Sequence, residues 1–217
     1  MKKGLVELVF ILDRSGSMTG LAADTIGGFN SLIDQQKKES GEAFVTTVLF
    51  DDEYIVLHDH VNIKDVNPMT TKEYFPRGMT ALMDAVGKTI NRIGERLSNT
   101  DESERPEKVM VVITTDGYEN SSKEFTSGDV KRMIEHQREK YSWVFMFLGA
   151  NMDAASEAKK IGIDSQLART YTNSHVGVGT VYNAVSASMS VARSCIQNDA
   201  GNNVMMDAMS SALDDVE

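Results

Sequence analysis

A doubly wound α/β domain with a mostly parallel sheet is predicted by three observations. Apolar runs of strand length alternate along the chain with segments of helical periodicity. Two of those runs, residues 5–12 and 109–114, are almost continuously apolar, as strands buried on both faces are. Short loops rich in hydroxyls and aspartates follow both runs directly, where open parallel sheets bind their ligands.

The first run, residues 5–12, follows Lys2 and Lys3 and superficially resembles a secretion signal. Glu7 interrupts it, and Asp13-Arg14 ends it with no small-residue cleavage site, so it reads as a buried strand. Residues 21–38 are helical, with Ile26, Phe29 and Ile33 on one stripe, Lys37 and Lys38 in the last turn and Gly41 at the cap. Residues 43–50 and 54–61 form two strand-like runs separated by Asp51-Asp52-Glu53, a connection of hairpin length, so they pair antiparallel. His58 and His60 stand two apart, on one face of this edge strand, and read as exposed strand residues rather than zinc ligands because no third ligand is in view. A loop over residues 62–78 holds Pro68, Pro76 and a single helical turn marked by Thr70 and Glu73 at capping-box spacing. Residues 81–97 are helical, 109–114 a strand, 129–140 a helix, 143–148 a strand, 154–160 a short helix and 168–171 a short strand. A long helix then carries Val178, Tyr182, Val185, Met189, Ala192 and Ile196 on one stripe, with Cys195 at its border as a small buried hydrophobe. The expected organisation is one domain over residues 1–197 and an acidic tail over 198–217, flexible or a short amphipathic helix carrying Met205, Met209, Ala212, Leu213 and Val216.

The chain has 217 residues, enough for a substantial core without cross-links, and its one cysteine rules out an internal disulfide framework. A reducing, cytoplasmic compartment and the absence of a membrane segment are the matching expectations. The net charge of −10 argues against a nucleic-acid partner.

Three loops carry the chemistry. Asp13-Arg14-Ser15-Gly16-Ser17 follows the first strand, Thr115-Asp116-Gly117 follows the run at 109–114, and Arg77-Gly78-Met79-Thr80 precedes the middle helix. Hydroxyls and carboxylates without histidine or thiolate favour magnesium, manganese or calcium over zinc. Three hydroxyls with only two aspartates leave such an ion electrophilic and able to accept an outside carboxylate.

The run Asp13-x-Ser15-x-Ser17 after an apolar strand, Gly78-x-Thr80-Ala81-Leu82 and Thr114-Thr115-Asp116-Gly117 closely resemble the metal-ion-dependent adhesion site (MIDAS) of von Willebrand factor type A domains, most of all the stand-alone bacterial or phage members. The resemblance covers residues 5–148 and implies a six-stranded sheet, five strands parallel and one antiparallel at the edge, with helices on both faces. It implies metal binding by Ser15, Ser17 and Thr80 hydroxyls, with Asp13 and Asp116 acting directly or through water. The implied cofactor is Mg2+, with Mn2+ or Ca2+ as substitutes, and the implied partner is a protein that supplies an Asp or Glu carboxylate. Many members carry two glycines before the threonine, where this chain has Gly78 and Met79.

Each motif alone has a plainer explanation: a helix cap after a strand, or an Asp-Gly turn. Three of them in order, each at an element edge, outweigh it. An enzyme is the competing class. A phosphatase or phosphotransferase using Asp13 as nucleophile would usually place a second acid two residues on, where Ser15 stands. No phosphate loop of the Gly-x-x-x-x-Gly-Lys-Ser/Thr type and no Gly-x-Ser-x-Gly elbow is present, and Gly177-Val178-Gly179 is an incomplete dinucleotide loop in the wrong place. The expectation is a non-enzymatic, metal-dependent binding module. Arg77, beside the site, is a candidate to steer the incoming carboxylate, although an exposed arginine with no such role is the plainer reading.

Overall fold

The computed structural model describes residues 1–214. The chain order is β1 (Lys2–Asp13), α1 (Ala22–Gln36), β2 (Ala43–Phe50), β3 (Tyr54–Asn62), α2 (Leu82–Ser98), β4 (Pro106–Thr115), α3 (Ser127–Tyr141), β5 (Val144–Ala150), α4 (Ala154–Lys160), β6 (Ala168–Tyr171), α5 (His175–Gln197) and α6 (Asn202–Ala212). The strands form one sheet in the order β3-β2-β1-β4-β5-β6, with β3 antiparallel to β2 and every other pair parallel. The order reverses at β1, whose neighbours are β2 on one side and β4 on the other. The carboxyl ends of β1 and β4 therefore flank the crevice that this topology creates.

Period-two alternation along β1 builds two cores. Val6, Leu8, Phe10 and Leu12 face α1, α5 and α6, while Val9 and Ile11 face α2, α3 and α4. Both faces are covered, which is why the strand is apolar at nearly every position. Of the tail's apolar positions, Met205, Met209 and Leu213 are buried against the first core, and Val216 lies outside the described residues.

The two histidines of β3 do not share a face. His60 has φ +53°, and the pairing of β3 with β2 shifts register between Val45 and Val48, so the alternation breaks at a bulge. His58 is buried on the α1 side, stacked on Phe29 and bonded to the Thr47 hydroxyl at 3.0 Å. His60 points to the other side, where its Nδ1 lies 2.8 Å from the buried carboxylate of Glu7. Glu7 is also held by Arg96 of α2 at 2.7 Å and by the Thr46 hydroxyl. Thr70 and Glu73 form the expected single turn: the Thr70 N–H and hydroxyl donate to the Glu73 carboxylate, and the Tyr74 N–H donates to the Thr70 carbonyl.

Candidate metal centre

Asp13 is the last residue of β1 and is fully buried. One of its carboxylate oxygens accepts the Ser15 N–H at 2.7 Å and the other accepts the Thr115 hydroxyl at 2.6 Å. The first bond closes a turn that sends the chain away from the strand, so Ser15 and Ser17 face the crevice side by side with their hydroxyl oxygens 3.0 Å apart. The Ser17 hydroxyl donates to Asp116 at 2.5 Å, and the other Asp116 oxygen accepts from the Asn173 amide at 3.2 Å. Thr80 arrives from the loop before α2, fixed by its N–H bond to the Asn120 side chain at 2.9 Å. A Cβ placed on Gly117 would sit 2.8 Å from the Thr80 hydroxyl and 3.7 Å from that of Ser17, so the turn after β4 closes on both hydroxyls and leaves no room for a side chain. All five residues singled out in the sequence, Asp13, Ser15, Ser17, Thr80 and Asp116, thus meet at the carboxyl ends of β1 and β4.

Burial dominates the electrostatics. Desolvation pushes the Asp13 carboxyl up to about 6, against the Thr115 and Ser15 bonds that favour its charged form, and the charge of Asp116 adds to the rise. Asp116 is raised by the same cause, against its bonds to Ser17 and Asn173. One buried and one half-buried carboxylate, close enough for the charge of Asp116 to be felt at Asp13 and with no cationic side chain bonded to either, are short of positive charge. The donor set around them is all hard oxygen, which fits magnesium, manganese or calcium. Among the described residues no group of three or more His, Cys, Asp or Glu is placed to hold a metal.

Behind the site lies a charged clamp that the sequence did not disclose. Arg14, inside the Asp13–Ser17 run, is almost fully buried, with its guanidinium 2.9 Å from Asp51 and stacked 5.0 Å from the Phe75 ring centroid. Arg77 bonds Asp51 at 3.1 Å and pairs with Glu53. It is therefore engaged by carboxylates of the β2–β3 turn. Backbone bonds complete the clamp: the Arg77 N–H donates to the Arg14 carbonyl at 2.9 Å and the Gly16 N–H to the Gly78 carbonyl at 3.2 Å. Gly78 has φ +66°, and a Cβ there would fall 1.8 Å from an Asp52 oxygen. Met79 keeps a negative φ and an exposed side chain, so the second position of this loop has no need of glycine.

Sequence reasoning also missed Thr115, Tyr74 and Asn173. Thr115 adjoins a residue that was found, but its bond reaches back 102 positions to Asp13. The Tyr74 hydroxyl donates to the Asp13 carbonyl from the loop after β3, and no local pattern marks it. Gly177 and Gly179 sit inside α5 and form no nucleotide loop.

No protein-family model matches the chain, and no curated protein matches it in sequence. Solved structures do match in shape. The vWF domain of the type V pili tip protein Mfa5 from Porphyromonas gingivalis aligns with a TM-score of 0.61 at 12% identity, over 88% of this chain and 97% of that one. Proximal thread matrix protein 1 from the mussel byssus, in a structure with a zinc-occupied MIDAS motif, aligns with a TM-score of 0.55 at 19% identity, over 97% of this chain and 46% of that one. The ArnB paralog VWA2 from Sulfolobus acidocaldarius gives 0.53 at 16% identity, over 85% of this chain and 45% of that one. The chain thus spans less than half the length of the mussel and Sulfolobus structures it matches. At such identities the likeness speaks for architecture, and together with the strand order and the five converging oxygen side chains it identifies the chain as having the von Willebrand factor type A fold.

Proposed function

We propose that this protein is a divalent-cation-dependent protein-binding module. Asp13, Ser15, Ser17, Thr80 and Asp116 hold the cation, magnesium in the first instance, and a partner protein completes its coordination with an Asp or Glu carboxylate. The observation that carries the reading is the convergence of three hydroxyls and only two carboxylates, both starved of positive charge, at the point where the strand order reverses. A bound cation supplies Lewis acidity toward an external oxygen ligand. The chain's own residues position the five donors through the Thr115, Asn120 and Asn173 bonds, and exclude water from Asp13. The zinc-occupied MIDAS of the mussel byssus protein supports the same location for a metal.

A hydrolytic role for Asp13 is disfavoured by its surroundings. Each of its oxygens already accepts a hydrogen bond, from Ser15 or Thr115, and the residue is fully buried, which leaves little room for in-line attack on a phosphoryl group while the remaining lone pairs stay available to a small cation. Near the site the surface is instead apolar and exposed: Phe75, Met79 and Tyr118 stand 46%, 51% and 61% accessible on loops, and Val176 78% in the first turn of α5. These side chains suit a partner surface in which the acidic residue is flanked by apolar neighbours. No helix among the described residues is long and apolar enough to cross a membrane. A cytoplasmic module with a protein partner and no nucleic-acid partner is the reading we adopt.

Thermal unfolding tests the metal. With a dissociation constant of ~1 mM, ~10 mM magnesium stabilises the fold by about 1.4 kcal/mol. That is a rise in Tm of about 3 to 6 °C for a chain of this size. Asp116→Ala should stay folded and lose the rise; an equal rise in that variant would remove the assignment. The partner claim is tested by capture in magnesium against EDTA, followed by Asp→Asn and Glu→Gln substitution in the captured protein. Turnover of p-nitrophenyl phosphate that Asp13→Asn abolishes would replace the binding module with an enzyme.

A further inference from the structure

A cavity of about 770 Å³ lies at the opposite end of the sheet from the metal centre. It opens beneath the start of β4, between the C-terminal ends of α2, α3 and α5 and the first turn of α6. Its volume is that of a pocket for a small organic molecule. Leu97, Trp143, Ile196 and Met205 give it an apolar wall.

The polar feature of the cavity is Lys108, which is 9% exposed. Its ammonium donates to the Ser142 carbonyl at 3.1 Å and to the Asn202 side-chain oxygen at 3.0 Å, both neutral acceptors. Among the described residues no carboxylate lies within ion-pair distance of it. The two acids nearby are engaged elsewhere: Glu107 accepts the Gly4 N–H at 2.6 Å, and Asp199 pairs with Lys3 at 2.7 Å. Arg105 and Lys140 also line the cavity, and the Arg105 guanidinium bonds only backbone carbonyls of Ser98 and Thr100. Burial holds the Lys108 amine below its usual pKa, as expected of a cation with no counter-ion beside it. In a chain of net charge −10, this is a basic pocket with an apolar wall and an uncompensated cation at its edge.

We propose that this cavity binds a small organic anion with an apolar body, a medium-chain carboxylate whose head pairs with Lys108 and whose chain lies against Trp143 and Met205. The site is separate from the metal centre and does not depend on it.

Trp143 is the single tryptophan of the chain and lines the cavity, so its fluorescence reports occupancy without a label. Octanoate is titrated in the presence of EDTA, which keeps a carboxylate from being held at a metal on the far rim. The expected result is a saturable change with a Kd below about 1 mM. Octanol and inorganic phosphate, which supply the chain or the charge alone, should each bind at least about tenfold more weakly. Lys108→Met should weaken octanoate by at least about tenfold. Gly94 of α2 lines the cavity, and a Cβ there meets no atom within 4 Å, so Gly94→Met should fill the space, keep the thermal transition and block octanoate. Should Lys108→Met fail to fold, the Gly94→Met result decides. The proposal is overturned by no saturable change with octanoate, by octanol or phosphate binding as tightly, or by unaltered affinity in a folded Gly94→Met.

Discussion

Asp13 illustrates how the fold orients a proposed metal ligand, two of its three partners, Thr115 and Tyr74, lying outside the proposed ligand set. Its two oxygens are oriented by the Ser15 N–H and the Thr115 hydroxyl, and its backbone carbonyl is fixed by Tyr74. Thr115→Val removes one donor at constant shape and leaves a buried carboxylate oxygen without a partner. It should destabilise the fold by about 1–3 kcal/mol by urea unfolding. It should also weaken magnesium binding by about tenfold or more in calorimetry, although Thr115 lies outside the proposed ligand set. At Gly78, φ +66° combines with the 1.8 Å approach to Asp52, so Gly78→Ala meets both strain and a clash. A loss of about 2 kcal/mol in the same assay, with a reduced magnesium response, is the expected outcome. The proposed ligands were legible because each stands beside the end of a strand or the start of a helix and belongs to an ordered set of three short motifs. Thr115, Tyr74, Asn173 and the Arg14–Asp51 pair were not, because their roles are defined by residues brought near only by the sheet. The ion pairs of Arg77 were hidden for the same reason: a free arginine and one clamped by a distant hairpin turn look alike in a sequence.

At the level of elements, most of the helices and strands could be read because buried faces impose a period, 3.6 or 2, that local composition records. The reading failed where the period breaks. His58 and His60 were assigned one face by strict alternation, and the bulge at His60 puts them on opposite faces. That bulge creates a polar cluster between β1, β2, β3 and α2, with Glu7 at its centre. Burial alone would raise the Glu7 carboxyl, but His60, Arg96 and Thr46 together hold it below its ordinary value of 4.5. A carboxylate with a depressed folded pKa adds stability that is fully present above the unfolded value and is lost as pH falls through the folded one. Glu7→Gln should therefore destabilise the protein by about 2 kcal/mol at neutral pH. Urea midpoints of the two proteins should converge as pH falls from about 4.5 toward 3. A gap that stays constant through that range would assign the loss to packing instead of charge.

On the scale of the whole molecule, the two cores are separated by the sheet, and α6 belongs to the first of them through Met205, Met209 and Leu213. Met209 is fully buried at the junction of α5 and α6, where its carbonyl accepts the Ser188 hydroxyl at 3.1 Å. Met209→Ala should destabilise the domain by about 2–5 kcal/mol. If α6 is part of one cooperative unit, circular dichroism and Trp143 fluorescence should show the same reduced midpoint in denaturant. Separate transitions would make α6 an independent appendage.

The margins of the sheet carry a consequence of their own. An open sheet presents unpaired N–H and C=O groups at both ends, which invite strand addition and fibrous self-association. Here β3 is kinked at His60, and β6 is only four residues long with Arg169 tied to Ser210 of α6 and to Asp214 just past it. Both borders are poor templates for a sixth parallel strand or a second antiparallel one. With both margins poor templates for strand addition, the proposed partner is left the loops, where specificity would be set by side chains and by a cation that can be removed.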